Sequence, residues 1–143
     1  MAEQSLVKVQ FYDADVGYEN LWAARINSDQ YQLASIPFFI YGIALGDVVI
    51  AQPDEDGRLH FTRAAAHSGN RTLRARSDDI INDSNRREGI VAGLKALGCE
   101  VEVHRSRLLA ISVPPNIDIE VVTDCLTSNG LSWEYGYPEN LNK

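Results

Sequence analysis

Apolar and polar residues alternate along the first half of the chain, which is the period expected of half-buried β-strands. The cluster NSDQ and the cluster PDEDG each separate two such runs, so we expect two hairpins. Asp56-Gly57 supplies the left-handed conformation that a tight turn needs. The pattern predicts a small β-barrel or a curved antiparallel sheet. The runs are LVKVQFY, ENLWAARI, QYQLASI, DVVIAQ and RLHFTRAAA.

The pattern changes in the second half, where strand-like runs alternate with helix-like ones. Ile90, Leu94 and Leu97 recur with helical spacing between Asp83 or Ser84, either of which can cap a helix, and Gly98, which can end it. In order, the runs predict β-α-β-β-α-β, the arrangement of ferredoxin-like domains. The other runs are RTLRARS, CEVEVHRS, RLLAISVP and LSWEYGY, typical of strands, and NIDIEVVTDCLTSNG, typical of a helix.

Together the two patterns predict an α+β protein with two lobes. Residues 1–70 would form a β-rich lobe, a small barrel or curved antiparallel sheet, and residues 71–143 a ferredoxin-like lobe. The sheet of such a lobe carries its helices on one face, and the β-rich lobe is a natural cover for the other. No Pro- or Ser-rich linker separates the two, so we expect a joint core rather than independent domains.

One stretch, IPFFIYGIALGDVV at 36–49, begins with eleven residues that carry no charge. It is about half the length of a membrane span and is broken by Pro37, Gly42 and Gly46, so membrane insertion is not expected. We expect a buried crossover that seals the β-rich lobe and contacts the second lobe. Exposure of Phe39 or Tyr41 would instead favour an interface.

Length and composition are those of a globular protein: 143 residues, 45% hydrophobic and 23% charged. The sequence begins without a basic region followed by an apolar one, so a cytoplasmic protein is expected. Cys99 and Cys125 lack CxxC spacing and a nearby paired histidine, and we expect free thiols. No cofactor or metal is expected, since DEDG at 54–57 lacks the further ligands of a calcium loop.

The net charge of −7 argues against nucleic acid as a partner and favours a basic protein. Four basic and nine acidic residues lie in 1–70, so an acidic binding face is expected on the β-rich lobe. One acidic group is expected in a loop and the other at a hairpin tip, both projecting into solvent. The candidate partner-binding residues are Asp13, Asp15 and Glu19 in the loop, and Asp54, Glu55 and Asp56 at the tip.

A second candidate site is cationic. The run SGN with the arginines that follow it could offer backbone N–H groups and guanidinium groups to a small anion. Alternatively, Arg74 and Arg76 could pair across the sheet with Glu100 and Glu102. The candidate anion-binding residues are His67, Ser68, Arg71 and Arg74, with Arg76 beside them.

Catalytic chemistry has few candidates. His60, His67 and His104 could act as bases, but none has a nucleophile partner that a motif identifies. His67 and Ser68 are neighbours in sequence, and neighbours on an extended chain point to opposite sides. A hydrolase that uses His67 is the third hypothesis.

The chain resembles a known bacterial family. The block IPFF-x-YG-x-x-x-GDVV, the block SG-x-x-TLR and the ending LSWEYG are similar to those of the family catalogued as domain of unknown function (DUF) 4265. The resemblance spans nearly the whole chain and brings no catalytic residues with it. We associate such proteins with bacterial loci that encode toxins, and the resemblance therefore implies an immunity role.

The leading hypothesis is a non-enzymatic bacterial protein that binds a basic partner, such as a cognate toxin, through its acidic β-rich lobe. The alternative is a module that senses a small anion between the lobes. The oligomeric state is left open by the sequence.

Overall fold

The computed structural model describes residues 5–77, 83–105 and 107–142. The first strands are β1 (Leu6–Asp13), β2 (Gly17–Arg25), β3 (Gln30–Leu33), β4 (Val48–Pro53) and β5 (Leu59–Ala66). They form a closed barrel in which consecutive strands are antiparallel and β1 pairs in parallel with β5. The predicted barrel and both predicted hairpins are confirmed.

Residues that alternate inward along the strands fill the barrel. Val9 and Phe11 of β1 and Leu21 of β2 are almost fully buried. The ring of Phe11 stacks on that of Phe61 with 4.5 Å between centroids. Because side chains alternate across a strand, the even-numbered residues of β1 and β2 face outward.

The second lobe is a four-stranded antiparallel sheet with two described helices. Its elements are β6 (Arg71–Arg76), α1 (Ser84–Ala96), β7 (Glu100–His104), β8 (Leu108–Val113), α2 (Ile119–Ser128) and β9 (Ser132–Tyr137), followed by a 3₁₀ turn at Glu139–Asn142. The strand order is β7-β8-β6-β9. The α+β class is confirmed, and the ferredoxin-like description of this lobe stays a prediction.

Aspartates cap both helices. Asp83 accepts hydrogen bonds from the backbone N–H groups of Asn85 and Arg86, and Asp118 accepts one from Glu120. Among the described residues, no helix combines the length and apolar character that a membrane span requires.

The two faces of the second sheet differ in polarity. Leu73 of β6 and Leu109 of β8 pack with both helices in a buried apolar cluster that includes Cys99, which is a free thiol. Thr72 and Arg74, on either side of Leu73, point to the opposite face, where Thr72 donates to the carbonyl of Ile43 and Arg74 to that of Phe39. This face is therefore polar, and the segment that crosses between the lobes supplies hydrogen-bond partners for it.

Candidate functional site

Residues 36–47, here called the connector, cross between the lobes without forming a helix or strand. The backbone N–H of Ile36 donates to Oε2 of Glu102 at 2.7 Å, and that of Gly42 donates to the carbonyl of Gly136 at 3.0 Å. The expected crossover is therefore present, and groups on the polar sheet face bond its backbone. Its buried members include Ile36, Ile40, Ile43 and Ala44.

Glu19 holds the connector from the barrel side. Its carboxylate accepts three backbone N–H groups, from Phe38 at 2.7 Å, Phe39 at 3.0 Å and Ile40 at 2.9 Å. Glu19 lies on β2 and is 8% exposed. The prediction that Glu19 projects from a solvent-exposed loop is wrong, because three otherwise unpaired amide groups of the connector draw its carboxylate inward.

Arg74 holds the connector from the sheet side. Its guanidinium donates from Nη1 to the carbonyl of Phe39 at 2.8 Å and from Nη2 to that of Ile40. It lies 4.6 Å from the ring centroid of Tyr41, and Nη1 is 3.8 Å from Oε1 of Glu134. Arg74 is 3% exposed, so its charged donors act inside the protein.

The buried charges of Arg74 and Glu19 compensate each other. Burial lowers the pKa of Arg74, and the negative charge of Glu19 opposes that shift. The alternative pairing of Arg74 and Arg76 with Glu100 and Glu102 is wrong, because β8 lies between β7 and β6.

His67 and Ser68 hold the end of the connector. Asp47, fully buried, accepts from the backbone N–H groups of Ala44 at 2.9 Å and Ser68 at 2.8 Å, and its Oδ2 lies 3.0 Å from Nδ1 of His67. The hydroxyl of Ser68 donates to the carbonyl of Leu45 at 2.7 Å. That hydroxyl is thus engaged with the backbone rather than with the imidazole.

Arg71 lies on the opposite face of β6 from Arg74. Its Nη2 donates to the carbonyls of Pro114 and Ile117, beside the start of α2. The structure therefore does not bring the four candidate anion-binding residues together. His67 and Ser68 bond the connector end, Arg71 faces the helices, and Arg74 faces the connector.

The candidate acidic loops are both stabilised locally. Asp13, half-buried, accepts from the backbone N–H of Asp15 at 2.8 Å. Asp54 lies 2.7 Å from Nε2 of His60, and this hydrogen bond, with others from the backbone, holds the pKa of Asp54 below its usual value. Glu55 and Asp56 are exposed at the same tip.

These loops lie at opposite ends of the barrel. Val9 is level with Leu59 in the parallel pair of β1 and β5, so the 54–58 turn that precedes Leu59 lies toward the start of β1. Asp13 ends β1, four residues beyond Val9, or about 13 Å along the strand. The two acidic groups therefore do not form one surface.

An exposed aromatic surface lies on the outer face of β1 and β2. Tyr12 and Tyr18 are opposite each other in the strand register, with rings 4.9 Å apart, and they are 65% and 67% exposed. Trp22 is 46% exposed, and Nζ of Lys8 lies 5.1 Å from its ring centroid. We call Tyr12, Tyr18 and Trp22 the aromatic ladder. Sequence reasoning missed it, although the alternation of LVKVQFY already directs Tyr12 away from Phe11.

A cleft of about 410 Å³ lies where the connector meets the second sheet. Its lining includes Phe39 and Tyr41, each 38% exposed, together with Arg76 and Glu134. The hydroxyl of Tyr41 donates to Oε1 of Glu134 at 2.7 Å, and this bond raises the pKa of Tyr41. By the criterion set from the sequence, this exposure favours an interface for this part of the connector.

Comparison with known proteins identifies a matching family and a solved structure of similar fold. The family model described as "Domain of unknown function (DUF4265)" matches residues 19–135, which confirms the resemblance found in the sequence. No curated protein matches the chain. A solved structure, described as "Novel crystal structure of a hypothetical protein from Neisseria gonorrhoeae", matches with a TM-score of 0.68 at 18% identity, covering 95% of this chain and 96% of that one. This likeness shows a shared fold.

Proposed function

This chain belongs to the family Domain of unknown function (DUF4265), and we propose that it is a non-enzymatic module that binds a basic protein. The family description assigns no reaction, so the proposal rests on the surface of the protein. The observation that carries it is the aromatic ladder, which leaves three large rings exposed on one two-stranded ribbon.

Such a ladder suits protein recognition. Tyr and Trp are the residues most enriched among those that dominate binding energy at interfaces. The barrel fixes the backbone beneath the rings, so little conformational freedom is lost when a partner covers them. Tyr12 and Tyr18 already contact each other through their rings, and together they present one continuous apolar surface.

Charge supports a basic partner. The net charge is −7; Asp13 ends β1, and Asp15 lies in the turn that joins β1 to β2. An acidic rim beside an aromatic surface speeds the approach of a basic protein and orients it. The more specific proposal is that the partner is a bacterial toxin domain, which this protein neutralises by covering it.

Co-expression tests this function. The products of neighbouring open reading frames are expressed with the protein, and we expect one of them to be toxic alone, tolerated with the wild-type protein, and recovered with it in a pull-down. Replacing Tyr12 and Tyr18 by Ala should abolish both protection and recovery. Val121→Ala, which changes an exposed apolar residue on α2 (46% exposed), should leave both intact. Absence of any toxic, protected product would contradict the immunity role.

A second candidate function is supported by the cleft. Arg76 lines it, and its guanidinium has no hydrogen-bond or ion-pair partner within the part of the chain that the structure describes. A small anion could pair with this group beside Phe39 and Tyr41. Thermal unfolding with a panel of phosphates and carboxylates tests this, since a ligand at 100 times its Kd adds about 2.7 kcal/mol of stability. Arg76→Gln should remove the shift, and a panel without any shift would exclude these anions.

A further inference from the structure

Part of β2 has an unpaired edge. β3 pairs with β2 only at Ala23–Arg25. At the preceding residue of β2, the carbonyl of Trp22 accepts a hydrogen bond from the backbone N–H of Ala34 at 2.8 Å, and the N–H of Trp22 donates to Oγ of Ser35 at 3.0 Å. The chain then leaves β2 as the connector begins, so the first half of β2 pairs on one side only.

The direction of the Trp22 bonds identifies the groups left on that edge. Backbone N–H and C=O groups of an antiparallel strand point to alternate sides at successive residues. Because the backbone N–H and C=O groups of Trp22 point away from β1, those of Asn20 and Tyr18 point the same way. Among the described residues, none makes a hydrogen bond with the backbone of Asn20 or Tyr18 on that side. The edge therefore offers a row of free donors and acceptors.

A groove of about 370 Å³ runs beside this edge. Its opposite wall is formed by Phe38 and Phe39 of the connector and by His104 and Glu102 of β7. The ring of His104 lies 5.0 Å from that of Phe38 and 5.3 Å from that of Phe39, measured between centroids. The groove thus combines an open strand edge with an aromatic wall.

Glu102 gives the groove its charge. Its Oε2 accepts from Ile36, whereas Oε1 has no hydrogen-bond partner among the described residues. Burial raises the pKa of Glu102, the hydrogen bond from Ile36 opposes this shift, and the negative charges of Glu100 and Glu19 add to it. A Lys or Arg side chain entering the groove would supply a compensating positive charge.

We propose that an extended basic segment of the partner protein adds to the free edge of β2 as a further strand and directs a Lys or Arg side chain to Glu102. This inference rests on the proposed protein-binding function and specifies its geometry. Main-chain hydrogen bonds to Tyr18 and Asn20 would provide affinity, and alternate side chains would enter the groove.

The edge is continuous with the aromatic ladder. Tyr18 belongs to both, and Trp22 of the ladder lines the groove beside the edge, so one partner can cover the ladder with its body and the edge with its segment. A second copy of this chain is a poor occupant, because two molecules of net charge −7 repel each other.

The test uses a ten-residue peptide of alternating Lys and Val, with calorimetry to measure Kd and NMR to measure amide exchange. We expect binding that slows exchange at Tyr18 and Asn20. A peptide of alternating Glu and Val should not bind. Two further peptides carry the same charge but are N-methylated, one at every Lys and the other at every Val, which removes the backbone N–H donors from one edge of the strand or from the other. Only one of the two should bind, since only one edge of the added strand faces β2.

Protein variants complete the test. Glu102→Gln should weaken the Lys-Val peptide about fivefold, whereas Glu100→Gln, exposed on the same strand, should leave Kd unchanged. Asn20→Pro removes the edge N–H and should abolish binding, and Asn20→Ala should retain it. If Asn20→Pro fails to fold, the two N-methylated peptides with wild-type protein decide the question.

Three outcomes would overturn strand addition: equal binding of both N-methylated peptides, protection confined to other residues, or self-association of the chain that itself protects Tyr18 and Asn20. None of them would affect the co-expression test of the aromatic ladder, so failure of the edge and failure of protein binding are distinguishable.

Discussion

Glu19 and Arg74 bond the backbone of the same two connector residues, Phe39 and Ile40, from opposite lobes. Glu19 accepts the N–H groups of Phe38, Phe39 and Ile40, and Arg74 donates to the carbonyls of Phe39 and Ile40. An irregular segment buried between two lobes needs a partner for every backbone group. At Phe39 and Ile40, one anion and one cation meet that need, and the charge of Glu19 also favours the charged form of Arg74.

Glu19→Gln should strongly destabilise the protein. It removes the charge that compensates Arg74 and places an amide N–H₂ donor among three N–H donors. Leaving a buried charge without its compensating charge costs about 3–5 kcal/mol. Urea unfolding followed by Trp fluorescence measures the free energy of unfolding. Glu55→Gln, at an exposed turn, should change it by less than about 0.5 kcal/mol, and an equal effect of both variants would contradict the role of Glu19.

The pair should be energetically coupled. Arg74→Met removes the donors to Phe39 and Ile40 and leaves Glu19 charged without compensation. In the double variant both charges are gone, so its loss of stability should be smaller than the two single losses added together by about 1–3 kcal/mol. The same urea titration on all four proteins measures this coupling. Strict additivity would show that Glu19 and Arg74 act independently.

Gly136 is required by the close approach of Arg74. A Cβ at this position would lie 2.9 Å from Nη2 of Arg74 and 3.0 Å from Cγ2 of Thr72, both held in place by bonds to the connector. Gly136→Ala should therefore cost about 1–3 kcal/mol. Gly93→Ala is the matched control, because nothing lies within 4 Å of its Cβ and α1 should gain up to about 1 kcal/mol. Thermal unfolding should show shifts of opposite sign.

The pH dependence of stability should reveal Glu102. Burial raises its pKa in the folded state, so the folded protein binds a proton more tightly than the unfolded chain. This contribution is fully present below the unfolded pKa and is lost as pH rises through the folded pKa. The Glu102→Gln variant lacks this contribution. The difference in free energy of unfolding between the variant and the wild type should therefore shift in favour of the variant as pH increases from 4 to 7. A difference independent of pH would contradict the shifted pKa of Glu102.

Local patterns in the sequence are enough to predict the strands, the hairpins and both helices. Alternation sets the strand faces, and Asp83 and Gly98 mark the limits of α1. The role of Glu19 could not be predicted in this way, because its partners lie about twenty residues away on a segment without a repeating pattern. The pairing of Arg74 depends on strand order, which local periodicity does not contain.

The aromatic ladder could have been predicted from the sequence, whereas the open edge of β2 could not. Tyr12 and Tyr18 occupy outward positions that strand alternation alone assigns. The edge is open because the chain leaves β2 after Ser35, where the connector begins and bonds to Glu19 and Glu102. This path of the chain depends on packing between the lobes, which the sequence pattern does not contain.

Amide hydrogen exchange of the complex recovered by co-expression tests the central claim most directly. If the protein binds through the outer face of β1 and β2, exchange should slow at residues 10–22 and remain unchanged along α1 and α2. Protection of the helices with no change at residues 10–22 would contradict binding through the aromatic ladder.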